Sequence, residues 1–222
     1  MSARERILGR IRRTGEGRAD PAAVAARLAA PGQTAPVPAA SLSEGAARTE
    51  QFIQKARAAD ATVSRIDSVE ALPRALAEEL RARNLPAAIR TGTDPALTRV
   101  LAADSAGLEH STGTGRLEEP ATLSRAPFAM AETGTLLLES GPDNPVTLTF
   151  LGETHFVLVE ESDICAGFEE MWARWRSAGG DPRTVNLVTG PSRSADIGQT
   201  LQLGAHGPVA LHVFVCGPNL GS

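Results

Sequence analysis

The sequence predicts an α/β fold: a central mixed sheet covered by helices, preceded by an N-terminal helical arm. Three observations lead there. Between residues 60 and 112, short apolar runs alternate with amphipathic helical segments, the pattern of a mainly parallel sheet covered on both faces. After residue 120, helical spacing gives way to short strand-like runs separated by turn residues, which adds an antiparallel part. The chain then closes on two apolar runs, 185–188 and 209–215, that flank a glycine-bearing loop. The 222 residues suffice for one full-sized domain of this kind. The expected division is an arm over residues 1–59 and an α/β domain over 60–218.

In the arm, residues 2–13 place Ile7, Leu8 and Ile11 on one side of a short basic helix. Asp20-Pro21 is an N-cap followed by proline at the first helical position, and Pro31-Gly32 ends that helix. The stretch 31–40 is a Pro- and Ala-rich connection. Ser41 and Glu44 have the spacing of a capping box for a helix running to about Ala59, with Phe52 and Ile53 buried.

The body opens with a strand at 61–66. Ser68 then caps a helix with Val69, Leu72, Leu76 and Leu80 on one face, in which Pro73 is expected to cause a bend. A strand at 87–89, a helix begun by Asp94-Pro95 and a strand at 108–112 follow. The runs 128–131, 135–138, 146–150 and 156–160 read as four short strands. Ser162-Asp163 caps a helix through Arg176 that carries Ile164, Phe168, Met171, Trp172 and Trp175 near one face, an aromatic stripe expected in the core. Ser194 is expected to start a short helix from Ala195 to Leu203.

Composition narrows the function classes. The formal net charge is −4, which gives no general attraction to nucleic acid or to anionic membranes. Positive charge is nearly all arginine, with Lys55 the only lysine. Cys165 and Cys216 are far apart and belong to no CxxC pattern, so no zinc site, iron–sulfur cluster or disulfide framework is expected and no intrinsic cofactor is assigned. No apolar run approaches the ~20 residues of a membrane helix, and the arginine-rich N-terminus lacks the apolar segment of a signal peptide. The expected location is cytoplasmic.

Two stretches can carry chemistry. A turn from strand into helix at Gly190, Ser192, Arg193, Ser194 and Asp196 would aim backbone amides, a helix dipole and a guanidinium at one anion. The same residues also fit a capped corner with a solvated arginine. Glu132 precedes Thr133, Gly134 and Thr135 within an apolar run, where its carboxylate suits a base, a nucleophile or a cation ligand, or simply satisfies backbone N–H groups in a tight turn. Of the four histidines, His110 and His212 lie in strand-like runs and read as structural. His155 and His206 are expected in loops and so are candidates for ligand contact or proton transfer. No P-loop, Rossmann fingerprint or GxSxG elbow is present.

The run GPSRSADIGQTLQLGAHGP resembles the C-terminal motif of the lactate-utilization protein C family, or LUD domain. A second block resembles the family upstream, at Ala131-Glu132-Thr133-Gly134-Thr135-Leu136-Leu137-Leu138 followed by Leu151-Gly152-Glu153-Thr154-His155. Together the blocks span roughly 120–216. The resemblance implies a fold similar to the ribose-phosphate isomerase and CoA-transferase group. In CoA transferases, similar glutamate-plus-glycine turns carry a covalent thioester, although the full motif is missing here. From the residues themselves, Glu132, His155 and His206 are the catalytic candidates, with Thr133, Gly134, Thr135 and the Gly190–Asp196 loop expected to hold a small anionic metabolite. Asn144-Pro145 and Gly152 depart from the arginine and proline of many family members. Three functions follow as expectations. One is an accessory or ligand-binding component of bacterial L-lactate oxidation acting with iron–sulfur partner subunits. The second is an independent enzyme for a phosphorylated or CoA-linked metabolite, and the third a non-catalytic assembly protein. Glu132, Thr133 and the 190–196 loop are expected to line one cleft at the carboxyl ends of strands, with the amides of Ser192–Ser194 facing it.

Overall fold

A computed structural model describes residues 2–14, 20–29, 36–117, 119–194, 202–203 and 206–217. Its contacts separate two compact units, Met1–Val37 and Pro38–Ser222. The first holds α1 (Ala3–Thr14) and α2 (Pro21–Ala29). The Asp20 carboxylate accepts the Ala22 N–H at 3.0 Å, the N-cap expected before Pro21.

The second unit begins with α3 (Gly45–Ala58), β1 (Thr62–Ile66) and α4 (Leu72–Ala82), followed by β2 (Ala88–Thr91), α5 (Pro95–Ala103) and β3 (Glu109–Thr112). Next come β4 (Glu119–Arg125), β5 (Phe128–Met130), β6 (Thr135–Glu139), α6 (Val146–Leu151) and β7 (Gly152–Glu160). It ends with β8 (Ile164–Cys165), α7 (Phe168–Ser177), β9 (Val185–Val188), β10 (Arg193–Ser194), β11 (Gln202–Leu203) and β12 (Ala210–Cys216). Parallel and antiparallel pairings fall in different sheets. A six-stranded sheet, β1-β12-β7-β4-β2-β3, is parallel throughout. A four-stranded mixed sheet, β8-β5-β6-β9, stands beside it.

Alternation along the central strands builds the layers. Phe156 and Leu158 of β7, with Phe214 of β12, pack with Leu72, Leu76 and Leu80 of α4 and Leu97 and Leu101 of α5. Val157, Val159, Val213 and Val215 point the other way, toward Leu136 and Leu138 of the mixed sheet and Phe52 and Ile53 of α3. The far face of the mixed sheet, Phe128, Met130 and Leu137, lies with Met171, Phe168, Trp172 and Trp175 of α7. The order is helix, parallel sheet, mixed sheet, helix. Although α3 falls within the span expected for the arm, it contributes to this core.

Several elements differ from expectation. Ser41 ends a 3-10 turn, and Glu44 precedes α3 with no side-chain cap, so no capping box forms. The helix expected from Ser68 is a 3-10 turn over Val69–Ala71 followed by α4; Pro73 lies in the opening turn of α4, where its missing N–H costs nothing, and no bend is needed. Strand β4, which carries Pro120, has no counterpart among the expected elements. Pro120 stands at the strand's start, and the buried run 121–124 lacks alternation because both faces are covered. The run 146–150 is helical despite its β-branched residues. Thr147 Oγ1 accepts the Gly115 N–H at 2.8 Å, and Thr122 Oγ1 donates to the Leu148 carbonyl at 2.8 Å, so tertiary contacts override propensity. Ser162-Asp163 form a 3-10 turn, Ile164-Cys165 pair with β5, and α7 starts only after Gly167.

Candidate functional site

A cleft of about 200 Å³ opens between the two sheets. It lies at the amino ends of β7 and β12, where the carboxyl end of β9 approaches them. Its walls are Thr149 and Phe150 of α6, His155 of β7, Leu187–Ser192, and His206–Pro208 with Leu211. Two sequence blocks more than thirty residues apart meet here because β7 and β12 are neighbours, with His155 in register with Leu211.

His155 is not in a loop. It is the fourth residue of β7, flanked by Thr122 of β4 and Leu211 of β12, and it is fully buried. Its parity with Val157 and Val159 turns the ring toward the mixed sheet. Burial pushes its pKa down to about 3, so the imidazole is neutral at physiological pH. The tautomer follows from its partners. Asn144 Nδ2 donates to the Glu139 carbonyl at 3.1 Å, which orients the amide and leaves Oδ1 as an acceptor. Ser124 Oγ donates to that Oδ1 at 2.6 Å and so must accept from His155 Nε2, 3.0 Å away. The proton therefore sits on Nε2, and Nδ1 keeps a bare lone pair. Nδ1 has no hydrogen-bond partner, and neither does the buried Oγ1 of Thr149. Two unpartnered buried polar atoms thus belong to residues lining one cleft, the pattern of a site that expects a ligand.

The remaining candidates divide. Gly190, Ser192 and His206 line this cleft, with His206 exposed at its edge. Gly190 has φ +74°, and a Cβ there would collide with the Ala59 carbonyl, so the turn requires glycine. The Ser192 N–H donates to the Pro208 carbonyl at 2.9 Å and does not face the cleft as expected. Arg193 and Ser194 form a two-residue antiparallel ladder with Leu203 and Gln202, so Ser194 is a strand residue where a helix cap was expected. Asp196 and most of the expected helix 195–203 lie outside the described residues. The Arg193 guanidinium pairs with Asp60 on the surface and is not among the residues lining the cleft.

Glu132, Thr133 and Gly134 form the turn between β5 and β6, also away from the cleft walls. The Glu132 N–H donates to the Ala166 carbonyl at 3.0 Å, and its carboxylate lies beside Gly167 at the amino end of α7, where the helix dipole favours negative charge. Gly134 has φ +71° and packs on the Lys55–Ala56 backbone. A hydroxyl chain links this turn to the cleft: Thr133 Oγ1 to Thr135 Oγ1 at 2.6 Å, then Thr135 Oγ1 to Thr189 Oγ1 at 2.7 Å. The expected single cleft holding Glu132, Thr133 and the 190–196 loop does not form among the described residues: Gly190–Ser192 line the cleft, whereas Arg193 pairs with Asp60.

The carboxyl ends of β2 and β4, where the strand order reverses, carry a different cleft of about 210 Å³ lined by Asp94, Arg125, Glu139, Asp143 and Asn144. Its charges are engaged with one another. Asp94 caps α5 through the Ala96 and Leu97 amides and meets Arg125 Nε at 3.2 Å, and Arg125 Nη1 meets Glu160 at 3.3 Å. Glu139 accepts from the Trp175 indole. With its groups mutually satisfied, this cleft offers a ligand less than the one at His155.

The other two histidines lie in strands, as expected. His110 Nε2 meets Thr91 Oγ1 at 2.9 Å. His212 is buried among Thr62, Arg83 and Glu79, and burial takes its pKa down to about 4. Both cysteines are buried free thiols. Sequence reasoning missed Thr149 and Ser124, whose positions depend on α6 and β4. Among the described residues no cluster of His, Cys, Asp or Glu could hold a metal ion, and no helix is long and apolar enough to cross a membrane.

The architecture first sets a class: an α/β protein whose parallel and mixed sheets enclose a small-molecule-sized cleft. Residues 117–216 match the family model of the LUD domain, and every wall of the cleft falls within that span. Over those residues the chain is similar to the LUD-domain family. It is 38% identical over 100 residues to an uncharacterized protein of Neisseria meningitidis serogroup B, an alignment covering 45% of this chain and 43% of that one. It is 39% identical over 86 residues to the lactate utilization protein C of Bacillus licheniformis, covering 37% of this chain and 36% of the relative. Both alignments thus span less than half of the relative's length. A 27% identical match to the lactate utilization protein C of Halalkalibacterium halodurans extends over 68% of this chain and 70% of the relative. The crystal structure of a DUF162 family protein from Deinococcus radiodurans shares the fold, with a TM-score of 0.58 at 20% identity, covering 77% of this chain and 96% of that one.

Proposed function

We propose that this protein is a ligand-binding component of bacterial L-lactate utilization, acting with iron–sulfur partner subunits that carry the electrons. The cleft at His155 supports a binding role: it is built wholly from the LUD segment and holds two unpartnered buried polar atoms. The names of the relatives support the pathway. Redox chemistry would fall to the partners, since a chain with two buried, separated thiols has no ligand set for a cluster. An enzyme for a phosphorylated or CoA-linked metabolite is less well supported. About 200 Å³ is small for such a ligand.

The test is growth of a deletion strain on L-lactate, with complementation by the wild-type chain and by His155→Gln, followed by affinity purification from lactate-grown cells. Loss of growth with recovery of iron–sulfur proteins is expected. Normal growth of the deletion strain on lactate would sink the reading, and loss of growth with no co-purified partner would favour an independent enzyme.

A further inference from the structure

The base of the cleft is chemically one-sided. Asn144 and Ser124 commit the only ring proton of His155 to Nε2, so Nδ1 is an acceptor and nothing else. Burial keeps the ring neutral at ordinary pH and prevents it from becoming a donor by protonation. The residues around it include Phe150, Leu187, Val188 and Leu211, and none of the described walls is a carboxylate or a guanidinium. Thr149 Oγ1, the second unpartnered atom, can donate or accept. A ligand group that offers only lone pairs would meet the Nδ1 lone pair head-on, whereas a hydroxyl would satisfy it.

We infer that the cleft takes its ligand through a hydroxyl that donates to Nδ1 of His155, and that it therefore separates a small hydroxy compound from its keto counterpart. The inference deepens the proposed function and rests on it for the ligand's identity. In a pathway that uses lactate, such a site reads the alcohol, which is present before oxidation, and passes over the ketone formed afterwards. The acceptor itself is independent of the pathway, because the Asn144–Ser124–His155 chain creates it.

The test uses two matched pairs in ligand-detected NMR titrations of the full chain: L-lactate with pyruvate, and the neutral propan-2-ol with acetone. The hydroxy member of each pair is expected to bind about ten-fold more tightly, the discrimination that an unsatisfied buried acceptor imposes. Ser124→Ala, which frees the tautomer, should bring both ratios toward unity. Imidazole ¹⁵N spectra of the wild-type protein give a reading that needs no variant: Nε2 should carry the proton at pH 7, and the bare Nδ1 signal should move when the hydroxy probe binds. Preference for propan-2-ol without any binding of lactate would uphold the acceptor and overturn the lactate reading of the site. Equal binding of alcohol and ketone, no binding of either alcohol at millimolar concentration, or a proton on Nδ1 would overturn the inference. The growth test would still judge the pathway.

Discussion

Acid should destabilise this fold through its buried histidines, and His155 permits a quantitative test. Folded, its pKa is pushed down to about 3 by burial; unfolded, it returns to the ordinary 6.5. The unfolded chain therefore binds the proton first. The stability associated with the neutral ring is complete above pH 6.5 and is lost as pH falls toward 3. Each pH unit inside that window costs about 1.4 kcal/mol, so about 3 kcal/mol is gone at pH 4.5 from this residue alone. His212, pushed to about 4, adds a parallel loss over a narrower window. The perturbation is His155→Gln, which removes the ionisation while its amide can still donate toward Ser124. Urea unfolding of both proteins from pH 7 to 4.5 should show the variant losing about 1.4 kcal/mol less per pH unit than wild type. Equal slopes would refute the reasoning, since they would mean that His155 takes up its proton alike in the folded and unfolded states.

Gly190→Ala should lower stability by more than ~2 kcal/mol in thermal or urea unfolding, because φ +74° is left-handed and a Cβ would strike the Ala59 carbonyl. Asp94→Ala should cost about 1 kcal/mol for the lost cap of α5, and more by leaving Arg125 without one of its two carboxylates; a change within error would argue against the cap. Arg193→Ala should cost less than ~1 kcal/mol, since its pair with Asp60 is about half exposed, and should leave binding at the His155 cleft unchanged in a titration. Purified protein should be colourless, and a stoichiometric iron or flavin spectrum would contradict the proposed division of labour with partners.

The α/β class, the starts of α2 and α5, and the two blocks that form the cleft were legible in the residues. Asp20-Pro21 and Asp94-Pro95 carry their meaning locally, since a capping oxygen and a fixed φ act within one turn. The apolar run of β12 was equally plain. Strand β4 and helix α6 were not, because each is held by partners distant in sequence. Pairing with β2 and β7 keeps Pro120-bearing β4 extended, and Gly115 and Thr122 grip α6 through hydrogen bonds that its own six residues do not encode.

The candidate site shows the same division. By itself the sequence marked the 190–196 loop as part of a cleft, in the expected company of Glu132 and Thr133 with a histidine at the rim, and showed neither cysteines spaced for a cluster nor a long apolar span. Only the tertiary structure decided that His155 stands inside a central strand, that Arg193 turns to Asp60, and that Glu132 lies at the start of α7. It alone decided the protonation of His155, which depends on a serine from β4 and an asparagine from the turn after β6. The physical reason is range. Capping and alternation act between neighbours in the chain, whereas burial and a buried hydrogen-bond chain exist only when strands distant in sequence close around one another.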